Sequence, residues 1–484
     1  MPVLGEESLV TTPQRVVVVG GGVSGLAAAY HLGCAGRPNL EIVLLDRDDR
    51  LGGKVRTQAI GGHLVDTGPD ALMVRAPAMR ALLEDLDLAD ATVAPGAGGS
   101  FVWSRGRLRT LPPSTMFGIP QRLLPLLLSG LLSPLGIARA GLDLVLPRRA
   151  VPADEDLSIG ALVRPRFGTQ VFDRLIDPLL GGIHAGRADL LSARSTVPEV
   201  DALARRSRSI YLALRRQPRR AVPQGPALVS LDGGLTRLVE SLAGAIEAID
   251  GCDVRLGVEV EALRRDDGRY VLHLSDGSEL AADAVVLTTP AFVTAPLLAD
   301  LAPDAADAAA DIPYVDSACV TLLYAREALT RELDGTGFLV PADEDLLLVG
   351  CSWLATKWPH LADQSTVLLR AMVGRYGDRR FMDMDDDELV ARVHADLVRT
   401  MGMSAAPVEA QVQRWPRAMP QYTVGHQGRL DRISRALAEL PGMHVIGAAC
   451  TGVGVASCVG QARRTADAVL TGLAMIGAPT RGSA

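Results

Sequence analysis

Gly20, Gly22 and Gly25 stand in the spacing G-x-G-x-x-G, and the acid Asp46 follows about 20 residues on. These residue types, in this order, bind a dinucleotide. Gly20 permits a tight turn, Gly22 lets the backbone approach a pyrophosphate, and Gly25 lets a helix pack closely on a strand. Asp46 is placed to accept hydrogen bonds from ribose hydroxyls. Three elements must position them. Residues 16–19 are four valines and predict a buried parallel strand, 26–32 predict a helix, and 41–45 predict a second strand ending at Asp46. The helix N-terminus would turn unpaired N–H groups toward the phosphates.

Arg50-Leu51-Gly52-Gly53-Lys54 follows the acid closely. This resembles the R-x-G-G continuation of flavoproteins of the glutathione-reductase type, and it favours FAD over NAD. The chain has 484 residues, enough for two or three domains, and is 48% apolar and 22% charged, so it is globular. A net charge of −7 argues against general nucleic-acid binding. The six cysteines show neither C-x-x-C nor metal-ligand spacing, which fits reduced thiols. The first residues, MPVLGEESLVTTPQ, hold acids and no apolar run, so no secretory signal is expected.

Further along, 63–66 predict a short strand before the loop Gly68-Pro69-Asp70. A strand at 100–103 ends in a turn at Arg105-Gly106, and 111–220 read as largely helical. Residues 123–137, LLPLLLSGLLSPLGI, are too short to span a membrane, which takes about 20 residues. A buried helix pair is the expected reading, an apolar membrane-facing or channel surface the other. A helix ending near 249 precedes strand-like runs at 253–263, 270–275 and 283–289. Runs at 318–324 and 366–373 suggest a second, mostly antiparallel sheet. A helix at 386–402, a strand at 444–447 and a helix at about 459–473 complete the chain.

Seven separated blocks carry a closer resemblance: GGGVSGL (20–26), RLGGK (50–54), DTGPD (66–70), DPLLGGIHAGRADLLSARSTVPEV (177–200), LDGGLTRL (231–238), RWPRAMPQYTVGH (414–426) and IGAACTGVGVASCVGQA (446–462). In this order they resemble the oxygen-dependent porphyrinogen oxidases, within the monoamine-oxidase and phytoene-desaturase flavoprotein superfamily. The resemblance implies an α/β fold. Its FAD-binding, Rossmann-like domain would be assembled from 1–94, 221–290 and 411–484. A substrate domain would take a strand from 95–110 and the segment 291–410, and 111–220 would form a helical subdomain. It implies noncovalent FAD held by Gly20, Gly21, Gly22, Val23, Ser24, Gly25, Asp46, Arg47, Lys54, Gly68, Pro69, Asp70, Ala71, Val260, Trp415, Ala448, Val453, Gly454 and Val455.

In such a family the flavin takes two electrons at N5 and returns them to O₂ as H₂O₂. The substrate is a porphyrinogen, and no residue announces itself as a catalytic base. His184 reads as a positioning or solvent-facing histidine. Gly182, in the same loop, is expected to let backbone approach the ring. Arg75 is the expected propionate partner, while Leu339 and Met372 match apolar walls. An arginine that some members carry before the strand at 100–103 is missing, since that place reads Gly98-Gly99-Ser100. Seven arginines crowd 205–220, read as a solvated helix face or as a patch attracting polycarboxylates or an anionic surface.

An Ala- and Arg-rich, Lys-poor composition suggests a high-GC bacterium, and Gram-positive members of the family act on coproporphyrinogen III. That substrate is therefore expected, with protoporphyrinogen IX as the alternative. A flavin amine oxidase or carotenoid desaturase is the further one. A cytoplasmic location is expected, with transient contact to a membrane surface or a ferrochelatase.

Overall fold

The computed structural model describes residues 13–96, 98–112, 115–147, 151–216 and 225–476. Its centre is a five-stranded parallel sheet. In spatial order the strands are Cys252–Arg255, Leu40–Leu45, Gln14–Val19, Ala284–Leu287 and Met443–Val445. Continuous apolar runs predict strands covered on both faces, and Val16 to Val18 are fully buried. Helices Val23–Gly33, Thr236–Glu247 and Val455–Ile476 pack together on one face. A three-stranded antiparallel sheet (Val260–Asp266, Arg269–Leu274, Glu279–Ala282) and helices Ala291–Leu298 and Pro303–Ala310 cover the other. Strand order reverses on either side of Gln14–Val19. Such a switch point opens a ligand crevice at the carboxyl ends of the strands.

The second sheet has seven strands, ordered Glu409–Pro420, Tyr314–Ala325, Thr366–Val373, Leu348–Trp353, Gly335–Leu339, Gly99–Ser104 and Arg107–Thr110. It is antiparallel except where Gly335–Leu339 runs parallel to Gly99–Ser104. Helix Asp386–Met401 packs on one face. Asp385 caps its start by accepting the Glu388 N–H. A helical cluster between residues 123 and 216 builds its own apolar core around Phe167, Phe172 and Leu175.

Three expectations need correction. The run 253–263 is two strands in different sheets, because the chain turns at Gly257, whose φ is +70°. Val260 therefore opens a strand and pairs with Leu274. The last helix begins at Val455, not near 459. The leucine-rich stretch is a helix pair, Leu123–Ser129 and Pro134–Gly141, that is only half buried. Leu126, Leu131 and Leu132 face inward, while Leu128 is 77% and Leu135 82% exposed. No helix among the described residues is long and apolar enough to cross a membrane. In the arginine run, Arg205 pairs with Asp201 and Arg208 donates to the Leu144 carbonyl. Arg219 and Arg220 lie outside the described residues.

Candidate functional site

The G-x-G-x-x-G loop leaves the central strand at Gly20, whose φ of +109° excludes most side chains. A Cβ on Gly25 would run into the Gly20 carbonyl, so that glycine sets the helix-to-strand approach. A Cβ on Gly22 would meet nothing within 4 Å. Gly22 thus borders open space in front of the helix Val23–Gly33, whose first turn includes Ser24. Asp46 ends the neighbouring strand. Its carboxylate accepts the Gly21 N–H at 2.5 Å and the Asp48 N–H at 2.8 Å. Burial raises its pKa despite those two bonds. Arg47 beside it is exposed, with Glu259 3.9 Å away. Gly52 donates to the Gly21 carbonyl, which seats the second glycine run on the first. Lys54 is exposed, and the protein mass around it lowers its pKa by desolvation.

The loop Gly68-Pro69-Asp70-Ala71 is clamped from the second sheet. Arg370 donates to the Asp66 carbonyl at 2.8 Å and the Gly68 carbonyl at 3.3 Å, and its Nη2 lies 2.9 Å from the Asp70 carboxylate. Lys357 Nζ and Trp358 Nε1 reach the same carboxylate oxygen at 2.7 and 3.1 Å. Burial alone would raise the pKa of Asp70, but Arg370 and Lys357 overcome it and hold the group well below the usual carboxylate range. Asp70 therefore commits its carboxylate oxygen Oδ2 to this clamp. Trp415 donates its indole N–H to the Thr67 carbonyl at 2.9 Å, and its ring edge lies 3.8 Å from where a Gly68 Cβ would stand.

The third wall is the segment from Gly447 to Val455. Tyr422 donates its hydroxyl to the Ala448 carbonyl at 2.6 Å and accepts the Gly452 N–H at 2.8 Å. His426 stacks on the Tyr422 ring, centroids 4.1 Å apart. Val453 and Gly454 precede the first helical residue, Val455, and the helix turns its positive end toward the crevice. Gln421 donates to the His184 carbonyl at 2.8 Å, tying this wall to helix Asp177–His184. His184 is buried, not solvent-facing. Desolvation lowers its pKa to about 4, so it is neutral at pH 7.

Gly182 and Leu339 come together, since a Cβ on Gly182 would stand 2.8 Å from Leu339 Cδ2. Leu339 pairs with Gly350 and Gly350 with Met372, so Leu339 and Met372 share one face of the second sheet. Arg370, two residues from Met372 on the same strand, shares that face. One sheet face thus carries both the apolar wall and the clamp on the glycine–proline–aspartate loop. Arg75 is exposed, between strand Leu72–Met73 and helix Pro77–Asp85.

Residues 23–470 match the family described as "Flavin containing amine oxidoreductase". A coproporphyrinogen III oxidase of Bacillus subtilis (strain 168) is 34% identical over 469 residues, covering 95% of this chain and 98% of the relative. The chain belongs to the porphyrinogen-oxidase branch of that flavin family. A chloroplastic protoporphyrinogen oxidase 1 of Arabidopsis thaliana is 30% identical, covering 93% of this chain and 87% of the relative. A solved structure from Exiguobacterium sp. 255-15, provisionally described as a protoporphyrinogen oxidase, superposes with TM-score 0.84 at 31% identity, covering 96% of this chain and 100% of that one.

A flavin cofactor follows from the family, and the crevice fits its dinucleotide: open space at Gly22, an acid at the next strand end, a cation at Lys54 and the helix start at Val455. Sequence reasoning missed Arg370, Lys357, Trp358, Gln421, Tyr422 and His426 as parts of this candidate site. A signal was present for Arg370, a lone charge inside the strand Thr366–Val373.

Proposed function

We propose that the chain oxidises coproporphyrinogen III to coproporphyrin III with noncovalent FAD and O₂. The observation that carries this reading is the shared sheet face, where Leu339 and Met372 adjoin Arg370, which grips the loop beside the crevice. When bound, a flavin would supply the acceptor for hydride equivalents and the route for electrons to O₂. The chain's own part is to bind, orient and exclude water. Gly182 admits backbone close to the ring, and Leu339 and Met372 supply apolar contact. Arg75, exposed and without an ion-pair partner among the described residues, receives a propionate. Neutral His184 positions the loop through its carbonyl.

The remaining FAD contacts are those named from the resemblance, with the nucleotide domain built from 1–94, 221–290 and 411–484. Noncovalent attachment is supported by Cys450. Its thiol is pushed up to about 12 by burial and points at the Val445 carbonyl, 3.7 Å away, so a nucleophilic thiolate is disfavoured.

Protoporphyrinogen IX is the second reading, favoured by the Arabidopsis and Exiguobacterium likenesses. We further propose a cytoplasmic enzyme that touches an anionic membrane face, or a ferrochelatase, through the exposed leucines at 124–142. The deciding assay supplies both porphyrinogens to purified yellow protein and follows porphyrin fluorescence and H₂O₂. Higher kcat/KM on coproporphyrinogen III is expected. A preference for protoporphyrinogen IX makes the second reading correct, and turnover of neither removes both.

A further inference from the structure

A cavity of about 480 Å³ lies between two elements that meet beside the crevice. One wall is Ala71, Met73 and Ala78, from the loop and helix that follow Asp70. The other is the start of helix Val455–Ile476, with Gly454 and Val455 at one end and Arg464 at the other. Arg464 is the one charged side chain lining it among the described residues. It is exposed, and no carboxylate stands within ion-pair distance of it among the described residues.

Arg464 begins about 13 Å down the helix axis from Val455. Helical side chains lean toward the helix N-terminus. Its guanidinium accordingly lies back over Gly460, with Nη1 3.5 Å from where a Gly460 Cβ would stand and Ala78 Cβ 3.9 Å from the same point. The lack of a side chain at 460 leaves that lane open. The cavity therefore runs beyond the backbone assigned to the flavin and ends at an unpaired cation. Its lining includes Met73 and Ala76, which bracket Val74 and Arg75 in the sequence.

We infer that this cavity receives one propionate-bearing edge of the porphyrinogen and that Arg464 anchors that carboxylate, a cation additional to Arg75. The inference rests on the porphyrinogen reading above. An apolar hollow closed by a planar, permanently charged fork suits a pyrrole edge with a short carboxylate arm. A porphyrinogen with four propionates presents such an arm on every ring. One with two propionates presents vinyl groups instead on the other two rings, so Arg464 favours the tetracarboxylate. Its contribution is to binding, and it stands outside hydride transfer.

The test uses the flavin-loaded enzyme and its variants Arg464→Gln and Arg464→Lys, with coproporphyrinogen III, its tetramethyl ester and protoporphyrinogen IX as substrates. Arg464→Gln is expected to raise KM for coproporphyrinogen III roughly tenfold, with kcat within about twofold. Arg464→Lys recovers most of the loss, and flavin content stays unchanged. On the tetramethyl ester, wild type and Arg464→Gln should behave alike. Binding of coproporphyrin III, read by fluorescence quenching, should weaken in parallel with KM. Wild type active with Arg464→Gln unchanged in KM and product affinity overturns the anchor and leaves the porphyrinogen reading standing. Wild type inactive on every porphyrinogen overturns both.

Discussion

At Gly22 a side chain has room to point and nothing to touch. The backbone there is extended, with φ −70° and ψ 176°, which any residue adopts. Gly22→Val should therefore fold normally and yet purify without yellow colour, because the isopropyl group fills the space meant for a pyrophosphate. Gly25 gives the opposite result. A Cβ there collides with backbone, so Gly25→Val should lower Tm before flavin affinity can be read. Full flavin content in Gly22→Val would detach this loop from the cofactor. Asp46→Ala removes an acceptor that also holds the Gly21 N–H. Its flavin dissociation constant should rise about ten- to a hundredfold, matching a charge-assisted hydrogen bond of about 1.5–3 kcal/mol. Titration of apoprotein with FAD measures it, and an unchanged constant would end the assignment.

The element that joins cofactor and substrate walls is the loop 66–71, and its two acids titrate in opposite senses. Burial pushes Asp66 up to about 6, even though Thr57 and Leu235 donate to it at 2.6 and 2.9 Å. Between roughly pH 4 and 6 the folded chain keeps a proton that the unfolded chain has released, so rising pH removes stability, about 3 kcal/mol in all. Asp70 is depressed, so its contribution is present at neutral pH and disappears as acid protonates it. Asp66→Asn keeps the acceptor oxygen without the charge. It should raise Tm at pH 7 and flatten the Tm profile between pH 4 and 6, which a thermal melt series checks. A profile identical to wild type would place that pH dependence elsewhere.

Much of this architecture was legible at short range. Four valines, three glycines and an acid at fixed spacing define a βαβ unit whose contacts are nearly all local. The clamp was not legible, because Asp70 and Lys357 are 287 residues apart and no periodicity relates them. Residues 253–263 looked like one strand because a single glycine turn separates two runs of strand-forming residues that join different sheets. Of the two readings of His184, positioning or solvent-facing, the sequence could not choose, because a histidine's exposure depends on what packs near it, here Tyr422 from a distant segment.

For the molecule as a whole, the helical cluster turns several leucines outward. Leu124, Leu127, Leu128, Leu135 and Leu142 are exposed by 43–82%. Arg208 reaches the Leu144 carbonyl next to them, and Arg206 and Arg216 are exposed nearby in the sequence. Leucines beside cations suit a leaflet of anionic lipid, where each buried leucine contributes about 1.5–3 kcal/mol. The double variant Leu128→Asp, Leu135→Asp should lose co-sedimentation with phosphatidylglycerol vesicles while keeping its flavin and its turnover. Equal co-sedimentation of the two proteins would free this surface from a membrane role.

The central sheet takes its strands from opposite ends of the chain, with Gln14–Val19 near the start and Met443–Val445 near the finish. Ribosomes add about 5–20 residues per second, so roughly 20–90 s separate the emergence of those two strands. Throughout that interval the nascent βαβ unit lacks the wall formed by Gly447 to Val455, and the seven-stranded sheet still lacks its edge strand Glu409–Pro420. Newly made chains should therefore gain colour only after the segment Gly447 to Val455 has emerged from the ribosome. Until then their apolar strands need a chaperone's cover, and flavin supply should govern how many chains mature, not how fast each one is made.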